Sequence, residues 1–239
     1  VLCTFANSPT DCGFAEQAKV AGRASIVNIG RVGPTAVRLH TEPGDNNVAG
    51  SGINERDDLT LSQLATGCSE GVEQWWAHSI LFPDDYVSPP PSGASGPWNW
   101  AVVADFHQTG TASAVTFEID AMPDIAGVPG FPTGLKLSGA GGDPVNPVTY
   151  TAPIGPLVKN VWYDFVYHVK WSSAGNGFFE VWVNGAKKLS HVGPTLFVGQ
   201  GCYFKLANYH VPFGLASSVI HDRVIRGTTA LAVALTPLQ

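Results

Sequence analysis

The feature that most narrows the fold is a two-residue alternation of apolar and polar side chains, repeated in short runs along the chain. In residues 162–171 (WYDFVYHVKW), Phe165, Tyr167, Val169 and Trp171 fall on one face and polar residues dominate the other. A period of two belongs to a strand with one buried face, because successive side chains of a strand point to opposite sides. The same reading places strands at 36–42 (AVRLHTE), 73–81 (EQWWAHSIL), 100–107 (WAVVADFH), 115–119, 178–183 (FFEVWV), 201–209 (GCYFKLANY) and 218–225. Asn184-Gly185 directly follows one of them and is a strong hairpin signal. Helical periodicity is weak; only 62–67 and 70–78 have room for a turn or two. About ten short strands at this spacing predict an all-β, two-sheet antiparallel sandwich.

The totals agree. The chain has 239 residues, of which 44% are hydrophobic and 13% charged, so it can bury a large core. All-β sandwiches of roughly 200–250 residues often form one unit, and residues 1–239 are expected to be a single domain. The 27 Gly and 18 Pro are spread as turns between strands require. Residues 88–97 (SPPPSGASGP) are expected to form a long surface loop, and 127–147 a second Gly/Pro-rich region between strands. No apolar run approaches the ~18 residues of a membrane span, so no membrane partner is expected. A net charge of −6 argues against nucleic acid, which needs a basic surface. The chain begins at Val1 rather than Met, the expected form of a mature secreted product, and a monomer is expected. Four cysteines without a CxxC pair suit two disulfides in an oxidising compartment, with three connectivities open by spacing.

Four polar stripes could carry chemistry. In 203–210 (YFKLANYH), Tyr203, Lys205, Ala207 and Tyr209 share one face, while Phe204 and Leu206 fill the core. Asp105 and His107 point together, opposite Phe106, with Trp98, Trp100 and Gln108 nearby. Arg38, His40 and Glu42 form a third stripe, and Arg56-Asp57-Asp58-Leu59 a fourth. Taken alone, the first stripe is as consistent with a solvated strand face, while His107 reads more often as a structural hydrogen bonder, the third stripe as a surface salt-bridge cluster and the fourth as an ordinary charged strand start.

Taken in order, these stripes resemble the polysaccharide lyases with a β-jelly-roll, concanavalin-like fold, among them alginate lyases, heparin lyase I and fungal glucuronan lyases. Those enzymes carry Arg-Ser/Thr-Glu-Leu, then Gln-x-His, then Tyr-x-Lys-x-Gly-x-Tyr on neighbouring strands of one concave sheet. Here the order is kept as Arg56-Asp57-Asp58-Leu59, Asp105-Phe106-His107, and Tyr203-Phe204-Lys205-Leu206-Ala207-Asn208-Tyr209. Asp105 stands for Gln, Ala207 for Gly and Asp58 for Glu, departures that point away from an ordinary alginate lyase. The fungal glucuronan lyases (polysaccharide lyase family 20) are the closest fit.

The resemblance implies a secreted endo-acting lyase that cleaves an anionic β-1,4-linked polyuronate, glucuronan first, by β-elimination. Removing the C5 proton of a uronate builds charge on its carboxylate, which a cation must meet; Arg56 has the forked geometry for it. His107 is placed to take the proton, since imidazole titrates near neutral pH. Tyr209 would protonate the leaving oxygen, and in some relatives the tyrosine serves as both base and acid. Lys205 supplies a positive charge beside Tyr209 or binds an adjacent uronate. Arg38, His40, Tyr203, Gln108 and Trp100 are candidate substrate contacts, with His40 the alternative base. An ionised Asp105 would repel the substrate.

No cofactor is expected for elimination. Asp45, Asp84, Asp85, Asp143 and Asp222 are candidate calcium ligands in loops. Cys3–Cys12 is expected to close an N-terminal loop, and Cys68–Cys202 to staple the start of the active-site strand. Competing readings are an alginate lyase on the same fold, a glycoside hydrolase using Glu118-Ile119-Asp120, and a non-catalytic carbohydrate-binding module or lectin. The hydrolase lacks its further carboxylate, because Pro123 stands in that place.

Overall fold

The computed structural model describes residues 3–90, 99–122 and 134–234. Two seven-stranded antiparallel sheets stack face to face. The first runs in the order β1 (Ala15–Ala18), β4 (Glu55–Thr60), β13 (Cys202–His210), β6 (Ala101–Gln108), β7 (Phe117–Met122), β8 (Gly134–Gly142) and β9 (Pro147–Gly155). The second runs β12 (Ala186–Val192), β11 (Phe178–Val183), β10 (Trp162–Lys170), β5 (Glu73–Leu81), β14 (Ser217–Gly227), β3 (Ala36–Thr41) and β2 (Ser25–Val27). Half of the neighbouring strands are far apart in sequence, β13 sitting between β4 and β6, so the first sheet cannot be assembled from local hairpins alone.

The inner faces interdigitate aromatics. Phe106 on β6 and Phe204 on β13 meet Trp76 on β5, with ring centroids 5.4 and 5.1 Å from the tryptophan. Phe117 on β7 stacks on Phe179 of β11 at 4.3 Å. Each large side chain buried this way stabilises the fold by about 1.5–3 kcal/mol. Asn184 and Gly185 take φ of 49° and 79°, the left-handed pair that a two-residue turn between β11 and β12 requires. The single turn α1 (Gln63–Thr66) is capped by Ser62, whose Oγ accepts from the Ala65 N–H at 3.1 Å. Residues 70–78 form no helix; β5 takes Glu73 onward.

The second Gly/Pro-rich region also departs from expectation. Residues 127–147 are not all a connection, because β8 and the start of β9 lie within them. Leu135 and Leu137 are fully buried there. The glycines of β8 serve packing: a Cβ at Gly139 would strike the Tyr150 ring, and one at Gly141 would come within 2.6 Å of the Pro194 backbone. The 88–97 loop, Trp98 and Pro123 fall largely or wholly outside the described residues.

Cys3 is joined to Cys12 and Cys68 to Cys202, which points to an oxidising compartment. Among the described residues no helix is long and apolar enough to cross a membrane. The five loop aspartates do not gather. Asp45 pairs with Arg23, Asp85 with Arg38, and Asp84 accepts from Asn160, while Asp143 and Asp222 accept backbone N–H groups. Among the described residues no three His, Cys, Asp or Glu converge as a metal site would need.

Candidate active site

The pairing of β4, β13, β6, β7 and β8 decides what meets on the outer face of the first sheet. Alternation sends Phe204 and Leu206 into the core and Tyr203, Lys205 and Tyr209 outward. Register then sets Tyr209 opposite Arg56, Lys205 opposite Asp105, and Tyr203 opposite His107. It continues outward, Asp105 facing Glu118, Glu118 facing Ser138, and Asp120 facing Lys136.

Arg56 lies flat against the tyrosine, its guanidinium carbon 4.0 Å from the Tyr209 ring centroid. Its Nε reaches the Oδ2 of Asp58 at 2.9 Å. The Lys205 ammonium is 3.4 Å from Asp58 and 3.8 Å from Asp105, and 5.9 Å from the ring centroids of both Tyr203 and Tyr209. Asp58, Lys205 and Asp105 are 0%, 2% and 4% exposed although they stand on an outer face, so they form the floor of a depression. Tyr203, Tyr209 and His107 are only partly buried and stand around it. Trp100 closes one side, edge-on to Tyr209 at 4.8 Å between centroids.

The floor is electrically tense. Burial pushes the Asp105 carboxyl up, against the pull of Lys205. Burial would lower Lys205, but Asp105 and Asp58 outweigh it and hold the ammonium above its ordinary range. Asp58, with Arg56 and Lys205 both close, is the better counter-ion; Asp105, at the longer distance, is the one driven toward protonation. Beside it, burial and then Asp120 and Asp105 push Glu118 well above the usual carboxylate range.

His107 is held by its own backbone neighbourhood, Nδ1 lying 2.9 Å from the Gln108 carbonyl. A carbonyl only accepts, so Nδ1 carries hydrogen and the neutral ring keeps a bare Nε2. The imidazole sits 5.3 Å from the Tyr203 ring, while Tyr209 faces Val102, five residues back along β6. The site therefore has an Arg56–Tyr209 end and a His107–Tyr203 end, bridged by Lys205.

Several expected contacts lie elsewhere. Arg38 and His40 are on β3 of the second sheet. Because Val37 and Leu39 fill the core, the two polar chains face out on the opposite side of the molecule. There Arg38 pairs with Asp85 at 2.6 Å, and His40 lies between Ser218 and Glu42. His40 cannot be the base of this site. Gln108 follows His107 and so turns inward beside Phe106, where its Oε1 accepts from the Thr116 N–H at 3.4 Å. Lys205 is too enclosed to grasp an adjacent sugar; its charge acts on the groups around it. Residue spacing alone did not bring Asp120, Lys136 and Ser138 to this face; the only signal was alternation in β7 and β8, strands whose pairing is not local.

Residues 12–225 match the family model described as "Polysaccharide lyase". Among curated proteins none matches the chain in sequence. The endo-β-1,4-glucuronan lyase of the fungus Trichoderma reesei superposes with a TM-score of 0.66 at 16% identity, over 90% of this chain and 92% of that one. A variant of alginate lyase Aly36B in complex with an alginate trisaccharide gives 0.58 at 11% identity, over 90% and 88%. The catalytic domain of a GH131 β-glucanase from Podospora anserina gives 0.54 at 14%, over 90% and 83%. At these identities the superpositions speak for the jelly-roll fold, and the family match speaks for the chemistry. With residues 12–225 matched, nearly the whole chain, the chain belongs to the polysaccharide lyase family.

Proposed function

We propose that this protein is a secreted, single-domain endo-lyase that cleaves a β-1,4-linked polyuronate, glucuronan foremost, by β-elimination. The observation that carries the reading is the Arg56 guanidinium lying over the Tyr209 ring at the edge of the buried-charge floor. Arg56 would meet the uronate carboxylate at subsite +1, where negative charge builds as the C5 proton departs. Tyr209 would deliver a proton to the departing O4, which would otherwise leave as an alkoxide.

The stereochemistry of glucuronate favours one group for both steps. In its chair, H5 is axial and O4 equatorial, so a base approaching H5 is on the side from which O4 can also be reached. Tyr209, as phenolate, can remove H5 and then return the same proton to O4. His107 stands at the other end of the site and would bind or orient a neighbouring sugar together with Tyr203. In a guluronate-type sugar H5 and O4 lie anti, and two separate groups would be needed.

The experiment is a panel of glucuronan, polymannuronate and polyguluronate, followed by the ultraviolet absorbance of the 4,5-unsaturated end, which hydrolysis does not create. Fastest absorbance growth on glucuronan, with polymannuronate second, is the expected result. Reducing ends formed without absorbance would overturn the elimination reading.

A further inference from the structure

We infer that Asp105 and Glu118 hold one proton between them on the floor of the depression, and that on binding a uronate this proton turns from the partner carboxylate to donate a hydrogen bond to the carboxylate of the sugar. The inference rests on the polyuronate reading above and extends it to a pair of residues that the reading does not use.

The geometry comes first. Asp105 on β6 and Glu118 on β7 are directly opposed in register, and both side chains point out of the sandwich. Directly opposed residues keep their Cβ atoms about 4.5–5.5 Å apart, close enough for two carboxyl groups to meet. Asp105 is 4% exposed, and its Oδ1 has no hydrogen-bond partner among the described residues. Its nearest cation is Lys205, at 3.8 Å, which stands closer to Asp58. On the far side, Lys136 and Ser138 both turn to Asp120, at 3.1 and 2.9 Å, and among the described residues no cation pairs directly with Glu118.

Charge balance then demands a proton. The pair is faced by Lys205 and Tyr203 from β13, Arg56 and Asp58 from β4, His107 on β6, Asp120 on β7 and Lys136 on β8. Three permanent cations, Arg56, Lys205 and Lys136, meet four carboxylates, Asp58, Asp105, Glu118 and Asp120. Fully ionised, the floor would be negative and would repel a polyuronate. With one proton on the Asp105–Glu118 pair it is neutral and gains a donor. Two like charges this close do not both ionise readily, and burial drives both groups in the same direction. The pair therefore removes the repulsion that an aspartate at position 105 would otherwise cause.

The prediction is a pH-linked affinity. Binding an anionic sugar favours the protonated pair, so affinity should fall as pH rises and the complex should take up a proton on the alkaline side. The test uses the full chain carrying Tyr209→Phe to slow cleavage, with glucuronan and polymannuronate oligosaccharides titrated calorimetrically in buffers of different ionisation heat across the pH range. Glu118→Gln keeps size and a donor but cannot titrate. In the parent, affinity should drop by about ten- to a hundredfold over the alkaline limb, the worth of a hydrogen bond to a charged group. In Glu118→Gln both the drop and the proton uptake should vanish, and Asp105→Asn should behave alike. The same drop and uptake in Glu118→Gln as in the parent would overturn the acid pair while leaving the lyase reading intact. Proton-linked binding without any unsaturated product from the intact enzyme would sink the lyase reading and keep the pair. Binding of neither polymer would overturn both.

Discussion

The guanidinium of Arg56 lies 4.0 Å from the centroid of the Tyr209 ring, and its Nε holds the fully buried Asp58 at 2.9 Å. One side chain thus links the tyrosine to the charged floor. An arginine used this way is pinned by a carboxylate on one edge, by the Ala49 carbonyl 3.4 Å from its Nη1 and by an aromatic face beneath, which leaves Nη2 for an incoming anion.

Tyr209→Phe is expected to keep the ring, the arginine contact and the fold while elimination falls. General acid–base assistance is worth about 10²–10⁴-fold in rate, and loss near the upper end is expected if one hydroxyl serves both steps. Initial rates of absorbance growth check this, with an unchanged melting temperature as control. Tyr203→Phe, on the same face but beside His107, should leave kcat much closer to the parent. Full activity in Tyr209→Phe would remove this residue from the chemistry.

Arg56→Lys keeps the charge and loses the fork. We expect kcat/KM to drop by roughly ten- to a thousandfold, up to the cost of one missing transition-state donor. Arg56→Ala should also destabilise the fold by about 1–3 kcal/mol, below the ~3–5 kcal/mol of a fully orphaned buried charge, because Lys205 stays 3.4 Å from Asp58. Denaturant melts of the two variants separate the effects: only the alanine should shift the midpoint appreciably.

His107→Ala discriminates between two roles. From its place opposite Tyr203 we expect KM to rise with kcat reduced less than about tenfold, well short of the loss expected when an acid–base group is removed. A kcat loss matching that of Tyr209→Phe would make His107 the base, and the single-group mechanism would be wrong.

The two disulfides should differ in worth. Cys68–Cys202 closes a loop of 134 residues in separation and Cys3–Cys12 one of 9. Chain-entropy arguments put these at about 5 and about 3 kcal/mol. Replacing Cys68 and Cys202 by serine should lower stability more than replacing Cys3 and Cys12, read from paired urea melts. Equal losses would mean that the long loop is already restrained in the unfolded chain.

Acid should unfold the protein through its buried histidines. Burial holds His221 down to about 3 and His210 down to about 4, and drives His78 well below its usual range. A histidine depressed in the fold binds protons more readily when unfolded, so its contribution is present above about pH 6.5 and lost as pH falls toward its folded value. His221→Asn should flatten the acid limb of the melting-temperature profile between about pH 6.5 and 3. An unaltered limb would place the acid sensitivity elsewhere.

Local alternation settled which residues share a face, because a strand's two-residue period depends only on its own backbone. Hence Tyr203, Lys205 and Tyr209 on one side of β13, and the Asn184-Gly185 turn, could be read directly from residue order. The same rule correctly put Arg38 and His40 together, yet could not say that their strand belongs to the other sheet. Sheet membership and register come from pairing over long separations, chosen by how the aromatic inner faces fill the space between the sheets. Only that pairing sets Arg56 over Tyr209, places His107 beside Tyr203, and opposes Asp105 to Glu118. It likewise turns a glycine-rich stretch into β8, since the demand for close approach by Tyr150 and Pro194 arises only once those residues are folded against it. The residue order supplied the chemical groups; the burial of two facing sheets decided which of them stand together on one face.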